Sequence, residues 1–180
     1  MIEVFDDAIP REAHIDIVRM MLETRDQFFW FYSPSVTPNE YDRPHNDEVM
    51  ELEDYQFYHP FFAGPKVLSP YLNILTPIVN RLGVYSLIKV KANLNPHTSQ
   101  PITHGFHTDI PLDVMSTNTF TAIYYLNTCN GKTIFEDGRS VDCVANRLVV
   151  FPSSMRHSGI TTTDSKYKAI INFNYIGSRQ

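Results

Sequence analysis

The sequence predicts a β-rich α+β fold, in which helices of the first half back one sheet of a double-sheet jelly roll built by the second half. Three observations predict it. After Gly83, short apolar runs of strand character recur at close intervals with turn dipeptides between them, the pattern of a sandwich or barrel. Both segments with helical apolar spacing lie before that point, so helices and strands are segregated along the chain, not alternating. The 180 residues, 43% of them hydrophobic, suffice for a single core, so one domain is expected over 1–180. Within it, residues 1–83 would give helical and strand support and a substrate loop, and 84–176 the jelly-roll core.

The first helix is expected from Pro10, where Ala13, Ile15, Ile17, Val18, Met21 and Leu22 recur near helical spacing and proline is tolerated in the first turn. Phe28 to Tyr32 and Tyr55 to Tyr58 read as short strands flanking a polar stretch, Ser33 to Asp47, whose three prolines mark it as a lid or substrate loop. A second helix has Ser69 as N-cap, Pro70 at its first position, apolar Leu72, Leu75, Ile78, Val79 and Leu82, and Gly83 as its stop. The strands that follow are Val84 to Lys91, Gly105 to Asp109, Thr119 to Leu126, Thr133 to Phe135, Ser140 to Val144, Leu148 to Phe151 and Tyr167 to Tyr175. Asn130-Gly131 and Asp137-Gly138 are tight-turn dipeptides, the second placed as a hairpin turn.

Charge and cysteine content narrow the function. A net charge of -5 supplies no basic stripe for phosphates, so nucleic acid is not an expected partner. The longest apolar runs are far short of the roughly 20 residues of a membrane span, and no charged-then-apolar leader opens the chain. The expectation is a soluble, cytoplasmic protein. Cys129 and Cys143, without C-x-x-C spacing, read as reduced thiols, not as a disulfide framework or zinc site.

Candidate chemistry gathers on three residues. Side chains at i and i+2 of a strand share a face, so His107 and Asp109 could present an imidazole and a carboxylate side by side. His157, beyond the strand 148–151 and the turn Pro152-Ser153-Ser154, could add a third ligand from a separate strand. Two imidazoles and one carboxylate on one face of an octahedral ion leave the other face open for a chelating cosubstrate and O2, the arrangement of non-haem Fe(II) oxygenases. Lys166 and Lys168 follow at alternate positions in an otherwise apolar final strand, and a core-facing lysine needs a partner such as the far carboxylate of a keto diacid. His97 and His104, near Pro96 and Pro101, read as surface loop histidines; Arg147 reads as half of a structural ion pair, and Arg156 as a solvent or substrate contact. The aromatic group from Phe28 to Phe62 is core by default, with part of it a possible cleft lining, and Tyr41, Asp42 and Arg43 are loop candidates for substrate contact.

The ordered set His107-Thr108-Asp109, Thr121 to Asn127, Gly131 to Phe135, Asn146 to Phe151 and His157 with the basic strand behind it resembles the prolyl-hydroxylase-like branch of the Fe(II)/2-oxoglutarate oxygenases, including small stand-alone bacterial and phage members. The resemblance covers roughly Lys89 to Tyr175. It implies a double-stranded β-helix, cupin-like, with iron held by His107, Asp109 and His157 at its mouth. It also implies 2-oxoglutarate as cosubstrate, with Lys168 the cation for its distal carboxylate, Tyr125 a hydrogen-bonding helper and Asn93 a further contact. The basic residue sits at one defined offset in that family, so Lys166 competes with Lys168, and Lys168 matches the strand continuation better. Many relatives carry Gly-Gly where this chain has Asn130-Gly131. The implied activity is hydroxylation of a substrate C–H bond with O2, the substrate being a prolyl or other protein residue or a small metabolite. The rival expectation is a non-catalytic cupin-like barrel that binds a metal or serves as a structural module.

Overall fold

A computed structural model, which describes residues 1–24, 27–36 and 53–178, arranges the strands in two packed sheets. The strands are β1 (Glu3–Phe5), β2 (Phe31–Ser33), β3 (Gln56–Ala63), β4 (Lys66–Val67), β5 (Val84–Pro96), β6 (Thr119–Tyr125), β7 (Lys132–Phe135), β8 (Ser140–Asp142), β9 (Leu148–Pro152), β10 (His157–Ile160) and β11 (Tyr167–Gly177). The large sheet runs β1-β9-β6-β11-β5-β3-β2, with β4 paired to β3, and the small sheet runs β10-β7-β8. The large sheet is not closed into a barrel. Its spine is the antiparallel pair β5–β11, which carries Lys168 opposite Asn95, Asn172 opposite Lys91 and Asn174 opposite Lys89.

Alternation along these two strands makes the sheet two-faced. In β5, Val90 and Ala92 point to the helix side, where they pack with Ile17, Met21, Leu75, Ile78 and Leu82. Ile17, Leu75, Ile78 and Leu82 are completely buried, each worth about 1.5–3 kcal/mol of transfer free energy. The opposite face joins Ile123, Tyr125, Phe151 and Ile170 to Phe135, Val141 and Cys143 of the small-sheet side. That second core closes the far end of the space between the sheets. Both cysteines are free thiols within or beside it.

The helices are shorter than their apolar patterns. Helix α1 covers Arg11–Val18 with Pro10 as its cap residue, and Arg19–Glu23 continue as a π-helical turn. The second segment opens as a 3-10 turn over Leu72–Leu75 and becomes α-helical only over Thr76–Leu82, helix α2. Pro77 explains the break: it has no N–H to donate to Asn73 of the preceding turn, and the Thr76 hydroxyl donates to that carbonyl instead, at 2.7 Å. Ser69 still caps the entry by accepting from the Tyr71 amide at 3.2 Å. Gly83 stops the helix at φ 60°, where a side chain would be strained.

Several strand expectations need correction. The strand read over 28–32 is β2 at 31–33, because Phe28 is drawn into the helix-side core at 6% exposure. The stretch 105–109 is not a strand; it meets its neighbour at a single bridge, His107 with His157, since β10 has four residues and spends its other edge on β7. Asp137-Gly138 is the hairpin turn expected, with Gly138 at φ 89° between β7 and β8. Tyr41, Asp42, Arg43 and most of the proposed loop lie outside the described residues. Among the described residues no helix is long and apolar enough to cross a membrane.

Candidate active site

His107, Asp109 and His157 come together between the sheets, their ligand atoms all within 4.8 Å of one another. His157 opens β10, and the main chain of His107 is strapped to it by reciprocal backbone hydrogen bonds of 3.0 Å. This bridge, not a shared strand, fixes the two imidazoles side by side with ring centres 4.9 Å apart. Asp109, two residues on, faces both: His107 Nε2 is 3.8 Å and His157 Nε2 3.6 Å from its carboxylate oxygens. Among the described residues it is the one such group of three metal-type donors.

Each donor is prepared by a further contact. The Nδ1 of His107 lies 3.0 Å from the Gly105 carbonyl and that of His157 3.2 Å from the Met155 carbonyl. A carbonyl only accepts, so both Nδ1 atoms carry the proton and both Nε2 lone pairs face Asp109. Asn174 Nδ2 donates to Asp109 Oδ2 at 3.2 Å and to Thr121 at 3.0 Å. Burial pushes the Asp109 carboxyl upward, but His157, His107, Lys89 and the Asn174 amide outweigh it and hold it below the usual carboxylate range. Burial and the neighbouring His157 lower His107, keeping it neutral. Two imidazoles whose Nε2 atoms face a carboxylate, together with that carboxylate, converge in a set that fits a divalent metal of the octahedral N/O type.

From this cluster a cleft runs down between the sheets past Asn93, Asn95, Thr133, Gly159 and Ile170 to Lys168. Lys168 is 2% exposed, and its ammonium donates to the carbonyls of Lys132 at 2.5 Å and Ile160 at 3.0 Å. It makes no ion pair among the described residues. Burial lowers it to about 8, with the thiols of Cys143 and Cys129 acting in the other direction. The lysine stem fits because Gly131 leaves room for it: a Cβ there would stand 2.9 Å from Lys168 Cδ and 2.9 Å from the Ile160 carbonyl oxygen. The dipeptide read as a turn is therefore a close approach. Gly131→Ala is expected to lower stability by about 1–3 kcal/mol through overpacking, read as a lower urea midpoint at unchanged slope. An unaltered midpoint would mean that the stem is not confined there.

The other candidates divide. Asn93 lines the cleft with its buried Oδ1 unpartnered. Tyr125 does not line it; its hydroxyl is committed to Thr133 at 2.7 Å, and Thr133 is the cleft residue. Lys166 is exposed and off the cleft, because β11 starts only at Tyr167 and carries Lys168 inward as its second residue. His97 is exposed as expected, but His104 is not a surface residue: it is 4% exposed, lines the cleft and lies 3.2 Å from the Asp54 carboxylate. Arg147 pairs with Asp6 at 2.6 Å, and Arg156 binds Glu136 and the Phe106 carbonyl next to His107. The aromatic group is split, with Phe28 and Phe61 in the core and Phe29, Phe31 and Tyr32 exposed.

Gln56, Lys91, Asn95, Asn172 and Asn174 were not singled out by the sequence reading. The signal was there: Lys89, Lys91, Asn93 and Asn95 recur at every second position of β5, and Lys168, Asn172 and Asn174 fall on one parity of β11. Polar residues at period two, opposite an apolar face that is core, mark a wet cleft inside a sandwich.

The sequence matches no protein-family model and no curated protein. Solved structures do share the fold. A prolyl hydroxylase from Trichoplax adhaerens, in complex with a hypoxia inducible factor peptide, superposes with a TM-score of 0.63 at 12% identity, over 98% of this chain and 83% of that one. A prolyl-4-hydroxylase from Pseudomonas putida gives 0.61 at 14% identity, over 99% and 92%. A 2OG-Fe(II) oxygenase family protein from Burkholderia pseudomallei gives 0.62 at 13%, over 99% and 88%. The fold is thus the double-stranded β-helix of these oxygenases, with helices against its larger sheet.

Proposed function

We propose that this protein is an Fe(II)- and 2-oxoglutarate-dependent dioxygenase that hydroxylates a C–H bond of its substrate while 2-oxoglutarate and O2 become succinate and CO2. The observation that carries the reading is the pairing, in one cleft, of a two-His, one-carboxylate donor set with a buried ammonium that has no carboxylate partner among the described residues. A barrel that merely binds a metal has no use for Lys168, whose burial costs free energy until an anion meets it. Spacing supports the pair. Lys168 Nζ lies 3.5 Å from the Cβ position of Gly159, and Gly159 is two strand residues, about 6.5 Å, beyond His157. That matches a five-carbon diacid chelated at its keto end.

In this reading His107, Asp109 and His157 hold the iron, which supplies O2 activation when bound with 2-oxoglutarate. The chain does the rest. The Gly105 and Met155 carbonyls set the imidazole tautomers, Asn174 orients the carboxylate, and Lys168 receives the distal carboxylate of the cosubstrate. Thr133, itself bound by Tyr125, and the unpartnered Asn95 Nδ2 offer hydrogen bonds along the path. The walls of the cleft exclude bulk water, which strengthens each of these contacts.

Anaerobic titration with Fe(II) and then 2-oxoglutarate tests it. The expected result is the weak visible charge-transfer band of a chelated keto acid, followed on admitting O2 by succinate formation. Iron binding without a band would leave a metal-binding barrel and overturn the proposal.

A further inference from the structure

We infer that the primary substrate carries a carboxylate and that Lys91, a cation of the cleft distinct from Lys168, is the residue that reads it. The inference rests on the oxygenase reading and deepens it by naming the substrate class. Lys91 sits on the cleft face of β5, where its side chain lines the same cleft as His107, Asp109 and His157. Strand register separates it from the cosubstrate cation: Lys168 lies opposite Asn95 and Asn172 opposite Lys91, four residues or about 13 Å along the sheet. Lys91 leans toward β3, its ammonium over the Tyr58 ring, so a diacid with one carboxylate at the metal and the other at Lys168 has no carboxylate left to pair with it.

Charge balance says what Lys91 lacks. A divalent iron, the Asp109 carboxylate, a doubly charged 2-oxoglutarate and the Lys168 ammonium sum to neutrality. Lys91 then adds one positive charge to a buried site, with Lys89 beside it. Lys91 makes no hydrogen bond or ion pair among the described residues; its ammonium lies 5.8 Å from the Tyr58 ring centre, and burial lowers it to about 8. Once Asp109 is spent on the metal, no carboxylate among the described residues of the cleft compensates Lys91, so an anionic ligand gains a charge partner there.

The groups around Lys91 add a second feature. Asn172, its register partner, and Asn93, two residues along, each hold a buried carbonyl oxygen without a hydrogen-bond donor. A carboxylate on Lys91 with N–H or O–H groups next to it would satisfy all three. That is the chemistry of an α-amino or α-hydroxy acid, free or as an acidic residue within a peptide.

The test uses the intact protein loaded with Mn(II) and 2-oxoglutarate without O2, so that binding is read without turnover. Calorimetric titrations compare each free L-α-amino acid with its C-terminal amide, and blocked peptides containing Asp or Glu with the same peptides containing Asn or Gln. At least one carboxylate ligand should bind tenfold or more tightly than its neutral counterpart, and Lys91→Met should erase the difference. Lys91→Gln serves as a polar second variant, and Lys91→Arg should keep part of the preference. Preference among free acids assigns a small-molecule substrate; preference among peptides assigns an acidic peptide. Equal binding of acid and amide, an undiminished preference in Lys91→Met, or no binding by any carboxylate overturns the inference. The Fe(II)–2-oxoglutarate band separates the two failures. Its absence in the wild type strikes the oxygenase reading, whereas a normal band without carboxylate preference strikes only the role of Lys91.

Discussion

Lys168→Met is expected to weaken 2-oxoglutarate binding by about 30-fold to more than 1,000-fold while shifting the thermal midpoint by only a few degrees. Removing one partner of a buried charge pair costs about 2–5 kcal/mol, and each 1.4 kcal/mol is a factor of ten. The free protein gains almost as much as it loses. Two carbonyls, of Lys132 and Ile160, forfeit a donor, but a buried charge without a carboxylate partner among the described residues is replaced by a stem of similar volume. Arginine is not a conservative replacement, because Gly131 and Gly159 press on the stem and its tip.

The same residue gives the binding its pH dependence. In the free protein Lys168 titrates at about 8, chiefly because it is buried. Only the ammonium form pairs with a carboxylate, so above that value binding takes up a proton and apparent affinity falls, by up to tenfold per pH unit. Below it, affinity is level with respect to this group. The groups facing Lys168 are the thiols of Cys129 and Cys143; contact with Cys143 lowers Cys129 to about 6, and a thiolate there competes with the incoming diacid. Both titrations therefore weaken binding as pH rises. Calorimetry across pH 6 to 9.5, in the wild type, Cys129→Ser and Lys168→Met, separates them; an affinity that rises with pH would remove Lys168 from the site.

Much of this was legible in the sequence, for reasons particular to each element. The strands 119–126, 133–135 and 148–151 were found because β-branched and aromatic residues lie between polar turns. The donor set was found although its local premise failed: His107 and Asp109 share no strand, and it is the backbone bridge to His157 that aligns them. Spacing along the chain carried that information where local geometry did not. His104 was misread because Pro101 suggests a loop, and a loop can still be buried when a carboxylate such as that of Asp54 lies beside its imidazole. Lys166 and Lys168 share a parity, so alternation alone does not part them; the start of β11 at Tyr167 does, leaving Lys166 outside the strand. Lys91 was passed over because a lysine two positions from another on a strand usually marks a solvated face. Only the antiparallel partner β11, placing Asn172 and Asn174 beside Lys91 and Lys89, shows that this face is a cleft.

The largest loss is expected from Asp109→Ala, which should lower metal affinity by at least 100-fold and abolish 2-oxoglutarate turnover. Asp109 is the one anion of the donor set, and its side chain is 8% exposed, so no solvent ligand replaces it at the same position. Without it, two imidazoles with ring centres 4.9 Å apart face a cleft that, among the described residues, is lined by the cations Lys91 and Lys168. A divalent cation is then opposed by the very lysines that the anions of the complete site balance. The readout does not depend on activity. A ligand that binds only the folded state at 100 times its Kd adds about 2.7 kcal/mol of stability. Mn(II) should therefore raise the melting temperature of the wild type and leave that of Asp109→Ala unchanged. Acid gives the complementary result. The folded carboxyl titrates below its unfolded value, so its contribution to the metal-free protein is complete above the ordinary aspartate range and lost as pH falls through the depressed folded value. The stability of Asp109→Ala should fall less than that of the wild type across that window. If Mn(II) stabilised both proteins equally, the ion would be bound elsewhere, and His107 and His157 would be a structural pair, not ligands.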